Sequence, residues 1–355
     1  MIQEDYNRLN RFFHAISLGS RTISELSFEI NRSVFYSSKK INEKVENTPV
    51  FISGLARSGT TALLNHLFET KEFATLTYSD MPFILAPNLW QKLKGNTKQT
   101  ALRERAHGDQ IFINNHSPEA MDEVFWKVFL NNEYIKDDCL KINTISQEVL
   151  SKFKEFTELI CLNNYTNQPL RYLSKNNNSI LRINSLKEQF RNCHIIVPFR
   201  SPLEHAQSLL NQHKHFCSLQ HQNPFILKYM NWIGHYEFGL NQKPFDFPPL
   251  VQEELNHFSK QEINYWLKTW FNYYTFILNH PLKNEFIFVN YENLCQKPLE
   301  TLFEIKEKIN LKFQFQKIEP FILKEKMSSD LDSDGLKLFK ECMNLYEKIK
   351  SINPN

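Results

Sequence analysis

The run Pro49-Val50-Phe51-Ile52-Ser53-Gly54-Leu55-Ala56-Arg57-Ser58-Gly59-Thr60-Thr61-Ala62-Leu63-Leu64-Asn65-His66-Leu67 decides how the 355 residues are read. Val50 to Ile52 is a short apolar stretch of the kind a buried strand uses. Leu63, Leu64, Leu67 and Phe68 then recur at helical spacing. Between them stand Gly54 and Gly59, two of only 8 glycines in the chain. A strand, a glycine-bounded turn and a helix start make an anion site. The first N–H groups of a helix have no partner within it, and the peptide dipoles favour negative charge there. Glycine lets such a turn curl tightly and approach its ligand.

The Gly-x4-Gly spacing matches the phosphate loop of nucleotide-hydrolysing proteins, which continues with Lys and then Ser or Thr. Here Thr60 stands where that lysine would be, and the fixed cation is Arg57, inside the loop. A cation in that place suits an anion held without an obvious metal. A second stretch, His194-Ile195-Ile196-Val197-Pro198-Phe199-Arg200-Ser201-Pro202-Leu203-Glu204-His205-Ala206-Gln207-Ser208, repeats the junction of strand end and helix start. Ile195 to Phe199 reads as a buried strand in which Pro198 predicts a bulge or local irregularity. Arg200 falls at its carboxyl end. Ser201 to Glu204 has capping-box spacing, with Pro202 as first helical residue. Ser208 follows about two turns into that helix. Such a pair can grip one phosphate, the arginine by charge and forked donors, the serine by its hydroxyl.

Gly54-x-x-Arg57-Ser58-Gly59-Thr60-Thr61 resembles the 5′-phosphosulfate loop of sulfotransferases that use 3′-phosphoadenosine 5′-phosphosulfate (PAPS). Arg200 with Ser208 resembles the 3′-phosphate motif of the same family. A third segment, Glu285-Phe286-Ile287-Phe288-Val289-Asn290-Tyr291-Glu292-Asn293-Leu294, looks like the Tyr-Glu-Asp/Asn-Leu region near the end of these domains; its expected role is structural, with a place for Tyr291 near the nucleotide as the alternative. The resemblance runs from about residue 49 to about residue 312. It implies an α/β fold, a mainly parallel central sheet flanked by helices in a P-loop NTPase-like three-layer sandwich. The helical stretches between strands near residues 50, 195 and 286 argue for the same parallel sheet. The resemblance further implies PAPS as co-substrate and no metal. Gly54, Arg57, Ser58, Gly59, Thr60 and Thr61 would hold its 5′ end, Arg200 and Ser208 its 3′-phosphate. The sulfo group would pass to a hydroxyl or amine of an acceptor, releasing adenosine 3′,5′-bisphosphate.

By analogy with phosphoryl transfer, catalysis would rest on positioning and on neutralising charge that grows on the leaving phosphate. Arg57, the backbone N–H groups of residues 58–61 and the hydroxyls of Thr60 and Thr61 are the candidates. Lys175, after the apolar run Tyr172-Leu173-Ser174, is a second candidate cation, with a solvated surface lysine as the plain alternative. A base must accept the acceptor's proton. Phe73 to Tyr78 reads as a second strand leading to Asp80, and ligand crevices in open α/β sheets lie beyond strand carboxyl ends. Asp80 is therefore the first candidate base, with a turn cap before Pro82 as its alternative. Glu123 follows, with His116 and His107 behind it. Ser117-Pro118-Glu119-Ala120 reads as a helix start whose buried face is Met121, Val124, Phe125 and Val128; Glu119, Asp122 and Glu123 are its polar candidates, each a base or a complement to the helix dipole, with the dipole the preferred reading for Glu119.

Composition narrows the class. Hydrophobic residues make up 41% of the chain, and 30 Phe and 5 Trp supply bulky core material. A net charge of +3 gives no global field to recruit nucleic acid. The six cysteines show no paired spacing and read as reduced thiols, which favours a cytoplasmic setting, and the resemblance implies a bacterial-type enzyme. The start of the chain lacks the pattern of a signal peptide, and no apolar run approaches the ~20 residues of a membrane span. Residues 1–45 read as a helical extension broken near Gly19-Ser20. Its stripes Leu9, Phe12, Phe13, Ile16 and Leu26, Ile30, Val34 would cover one side of the sheet. Residues 46–355 then form one sulfotransferase domain with helical insertions and a C-terminal helix. The acceptor class stays open among sugars, phenols, lipids and peptides. Two rival functions remain: a P-loop kinase or NTPase acting on ATP, and a non-catalytic binder of a 3′,5′-bisphosphonucleotide.

Overall fold

A computed structural model describes residues 8–95, 98–105, 108, 111–164, 167–248, 255–315 and 331–352. In chain order the first half holds α1 (Arg8–Gly19), α2 (Arg21–Phe35), α3 (Ser38–Lys44), β1 (Val50–Ile52), α4 (Thr60–Glu69), β2 (Phe73–Ala74), α5 (Pro87–Lys94), β3 (Arg103–Glu104), β4 (Phe112–Ile113), α6 (Glu123–Phe129), β5 (Leu140–Lys141) and α7 (Gln147–Asn164). The second holds β6 (Arg171–Lys175), α8 (Ile183–Gln189), β7 (His194–Phe199), α9 (Pro202–Gln222), α10 (Pro224–Ile233), β8 (Phe245–Asp246), α11 (Ile263–Asn279), β9 (Phe286–Asn290), α12 (Tyr291–Gln296), α13 (Pro298–Ile309) and α14 (Ser333–Ile352).

The central sheet has the order β2-β6-β1-β7-β9, and every neighbouring pair is parallel. Strand side chains alternate between faces, and this splits the core in two. Val50 and Ile52 pack with Leu63, Leu64 and Leu67 of α4 and with Leu302, Ile305 and Ile309 of α13. Phe51, Ile195 and Val197 belong to a larger core with the rings of α7 and α11, including Trp266 and Trp270. Helices thus cover both faces, as the motifs predict. The chain leaving β1 moves toward β2, past β6, while the chain leaving β7 moves the other way, toward β9. Connections that diverge between adjacent strands open a crevice at their carboxyl ends, and both phosphate motifs lie there.

Several expectations are corrected. The second strand is only Phe73–Ala74, and it pairs with β6, not with β1. A turn closed by Thr77 and Asp80 ends it early. The neighbours of β1 are β6 and β7, so the apolar run before Lys175 is itself a central strand. No helix starts at Ser117. Its hydroxyl accepts from Asn114 N–H at 3.0 Å, the chain continues extended beside residues 76–78, and α6 begins only at Glu123. Pro198 causes no bulge, since β7 and β9 keep one register from Ile195 to Phe199. Ile196 gives its carbonyl to Ser53 N–H, so by alternation the missing N–H of Pro198 faces the side where β1 has already turned into the loop.

The N-terminal helices do not lie on the sheet. They break at Ser20, whose hydroxyl accepts from Ile23 N–H, and α2 packs on α5, α6 and α7. Phe28 meets Phe125, Phe129 and Phe156. The face turned inward is Ser24, Phe28 and Asn31, whereas Leu26, Ile30 and Val34 are 58%, 41% and 58% exposed. Asn31 decides this orientation. Its amide oxygen accepts from Leu89 N–H at 2.8 Å, satisfying an orphan donor in the first turn of α5. Phe12 and Phe13 are exposed too, and the side chain of Leu9 lies outside the described residues. At the other end α14 lies across α9 and α11, with Tyr346 donating to Glu292 at 3.1 Å. No helix among the described residues is long and apolar enough to cross a membrane.

Candidate functional site

The loop after β1 is wound by two left-handed residues, Arg57 at φ 70° and Gly59 at φ 94°. Ser58 is spent on the turn itself, its hydroxyl and N–H both donating to Leu55 O, at 2.7 and 3.3 Å. The first helical N–H to find a partner is that of Leu63, on Gly59 O. The N–H groups of Gly59, Thr60, Thr61 and Ala62 carry no hydrogen bond among the described residues, so the open donors begin one residue later than expected. Two contacts require glycine. A Cβ on Gly54 would lie 2.8 Å from the Pro198 ring, and one on Gly59 would lie 2.7 Å from the Tyr291 ring. We expect Gly59→Ala to destabilise the protein by about 2 kcal/mol, through left-handed strain and displacement of Tyr291, read from urea unfolding. An unchanged midpoint would mean that the loop relaxes around the methyl group.

Neighbouring elements hold the loop. Tyr273 donates to Ser53 O at 3.3 Å, and His205 Nε2 to Ala56 O at 2.7 Å. Burial lowers the His205 pKa to about 3, helped by Arg200 and Arg57, so the ring is neutral and carries its proton on Nε2. Three residues further along α9, Ser208 accepts from Arg57 Nε at 3.3 Å. The two motifs, far apart in sequence, are therefore joined by side chains. Arg200 stacks on the Tyr291 ring at 4.6 Å, and its carbonyl accepts from Trp270 Nε1. Tyr291, raised by burial to about 12, feels both Arg200 and Arg57, as His205 does. Ser201 does not cap α9. Its hydroxyl donates to Glu204, and its N–H goes to Glu292 at 2.9 Å.

Lys175 ends β6 in register with Ile52, beside the loop. Burial lowers its pKa against the pull of Glu119 and Glu237. A further cation has no signal in the sequence: Arg105, buried, donates to Thr61 Oγ1 at 3.3 Å. Of the candidate bases, Asp80 accepts from Thr77 N–H at 2.7 Å and from its hydroxyl at 3.0 Å, the capping alternative, with Lys94 and His116 as neighbours. Glu123, the first residue of α6, forms a buried bidentate pair with Arg182 and is also bonded by Tyr134 and Asn176. Asp122 accepts from Ser174 at 2.6 Å and from Tyr172, and burial raises it to about 6. His116 is exposed, and His107 lies outside the described residues. Glu119, four residues before α6, does not serve a helix dipole; it faces Lys175, Arg105 and His235 and accepts from Tyr78.

Among solved structures, the chain resembles a Mycobacterium tuberculosis sulfotransferase at 15% identity, over 97% of this chain and 85% of that one, with a TM-score of 0.49. A Mycobacterium avium sulfotransferase matches at 11% identity, over 100% and 80% of the two chains, with a TM-score of 0.45. The sulfotransferase domain of a Synechococcus olefin synthase matches at 13% identity, over 79% and 78%, with a TM-score of 0.36. No curated protein sequence matches. A family model described as the sulfotransferase domain matches residues 47–333, which take in the whole of the parallel sheet and both strand-end motifs. By that match the chain belongs to the sulfotransferase domain family.

Proposed function

We propose that the protein transfers the sulfo group of PAPS to a hydroxyl or amine of a small-molecule acceptor and releases adenosine 3′,5′-bisphosphate. The observation that carries this reading is the bond from Arg57 to Ser208, which makes one anion cleft of two separate strand ends. One doubly phosphorylated nucleotide spans such a cleft. Its 5′-phosphosulfate lies on Arg57, the hydroxyls of Thr60 and Thr61 and the open N–H groups of residues 59–62, in the glycine loop that starts at Gly54. Its 3′-phosphate lies on Arg200 and Ser208, with Tyr291 beside it. In the transfer the acceptor oxygen or nitrogen bonds to sulfur, the bond from sulfur to the 5′-phosphate oxygen breaks, and its electron pair stays on that oxygen. Arg57, Arg105, Lys175 and the loop N–H groups neutralise the charge that appears there, which is the larger part of such catalysis. Residues 46–355 act as one domain with residues 1–45 packed on it. Unpaired thiols at all six cysteines suit a reducing, cytoplasmic setting. Thr60 in place of a phosphate-loop lysine speaks against ATP chemistry.

Calorimetric titration with adenosine 3′,5′-bisphosphate tests the reading. We expect binding that Arg200→Ala weakens about 10- to 100-fold, the loss of one charge-assisted phosphate contact. Labelled PAPS incubated with the protein and a metabolite extract should label an acceptor. Tight binding of ATP with magnesium, or hydrolysis of ATP with neither bisphosphate binding nor labelling, would replace this reading by the kinase one.

A further inference from the structure

One carboxylate, that of Glu119, faces the cations that reach the donor loop. Residues 117–119 run antiparallel to residues 76–78: Tyr78 N–H donates to Ser117 O at 3.3 Å, Glu119 N–H to Leu76 O at 3.0 Å, and Thr77 bridges Pro118. This pairing brings Tyr78 and Glu119 together, and the phenol donates to Glu119 Oε2 at 2.5 Å. The other oxygen, Oε1, accepts from Ala120 N–H at 2.8 Å. Around the carboxylate stand Lys175 from the end of β6, Arg105 from beside β3, and His235, whose Nε2 bonds Ala120 O at 2.9 Å. Arg105 also holds Thr61 of the donor loop, so one side chain links Glu119 to the place where the sulfo group would sit. The other carboxylates nearby are committed elsewhere: Asp80 to Thr77, Asp122 to Ser174 and Tyr172, Glu123 to Arg182, and Glu237 to Asn177, whose amide donates to its Oε1 at 2.8 Å.

We infer that Glu119 is the proton acceptor of the transfer, oriented by Tyr78 and tied to the donor loop through Lys175 and Arg105. The inference rests on the sulfotransferase reading. As the acceptor oxygen bonds to sulfur, its proton passes to Glu119, and the electron pair of the broken bond goes to the 5′-phosphate. The same cations make the base conditional on the donor. Burial pushes the Glu119 pKa up, but Lys175, Arg105 and His235 outweigh it and hold the group at about 2 without ligand, too weak a base for the task. A phosphosulfate that draws Lys175 and Arg105 to itself relieves that pull, and the proton affinity of Glu119 rises as the donor arrives. Tyr78, itself far above the usual tyrosine range through burial, stays a donor throughout.

The test uses the full chain, labelled PAPS and the extract acceptor. Glu119→Gln should slow transfer at least 100-fold in kcat while adenosine 3′,5′-bisphosphate binds within about threefold of wild type, since the amide keeps the shape and loses only the base. Glu119→Asp should recover part of that rate, and the acidic limb of the wild-type pH profile should be missing in Glu119→Gln. Retention of more than a tenth of the rate by Glu119→Gln overturns the assignment. So does a loss of bisphosphate binding that parallels the loss of rate, or a greater loss of rate in Asp80→Asn. A wild-type chain that binds the bisphosphate yet labels no acceptor brings down the transferase reading and this one with it.

Discussion

Replacing Arg57 by alanine should lower sulfo transfer by about 10³-fold, near 4 kcal/mol of barrier, the upper range for removing one preorganised donor aimed at developing charge. The guanidinium sits inside the loop, and its Nε is fixed on Ser208, so it is oriented before any ligand arrives. Such a group stabilises growing charge on the leaving phosphate without reorganising. The backbone offers no rival explanation. Arg57 already sits at φ 70°, and alanine bears the same left-handed strain, so the loop should hold its shape. Arg57→Lys separates charge from geometry: it keeps the cation, loses the planar fork that reaches Ser208, and should fall between wild type and alanine. Single-turnover transfer from labelled PAPS reads all three. If Arg57→Ala turns over within tenfold of wild type, the cation of the loop is not where the charge is met.

The loop and the second motif were legible because each is local. Glycines, an arginine and a helix start within a dozen residues specify an anion site before any tertiary contact forms. What escaped depends on chains meeting. β6 reads poorly as a strand because Arg171 and Ser174 are polar, yet both are buried with partners: Arg171 donates to Thr48 O and Ile309 O, Ser174 to Asp122. Nothing in the sequence around Lys175 therefore announces that it ends the strand next to β1. Glu119, a polar candidate that the sequence assigns to a helix dipole, and Arg105, which has no signal at all, enter the site through strand pairings, 117–119 on 76–78 and β3 on β4, that no spacing announces. The inward face of α2 is a similar case. By hydropathy Leu26, Ile30 and Val34 should point inward, but the hydrogen bonds of Asn31 on α5 turn them out.

Arg182→Ala should destabilise the protein by about 3–5 kcal/mol, the range for removing one partner of a fully buried ion pair. Arg182 is 1% exposed and grips Glu123 at 2.8 and 3.0 Å, with its guanidinium against the rings of Trp126 and Tyr134. Without it, Glu123 keeps its charge in the core with only Tyr134 and Asn176 to bond it. The pH dependence carries the same sign. Burial pushes the Glu123 carboxyl up, but Arg182 outweighs this and holds the folded pKa below the ordinary value of 4.5. The stability it lends is thus present above the unfolded pKa and lost as pH falls through the lowered folded one. In Arg182→Ala only the Tyr134 and Asn176 hydrogen bonds oppose burial and the folded pKa rises, so the gap between the two proteins should be widest near neutral pH and narrow below about pH 4. Urea unfolding at several pH values measures it. This network also sets Glu123 apart from Glu119: Arg182, Tyr134 and Asn176 place two hydrogen bonds on each oxygen and fill its lone-pair sites, whereas each Glu119 oxygen accepts one. A change below 1 kcal/mol at neutral pH, together with loss of transfer in Glu123→Gln, would return Glu123 to the active site and leave α6 anchored by packing alone.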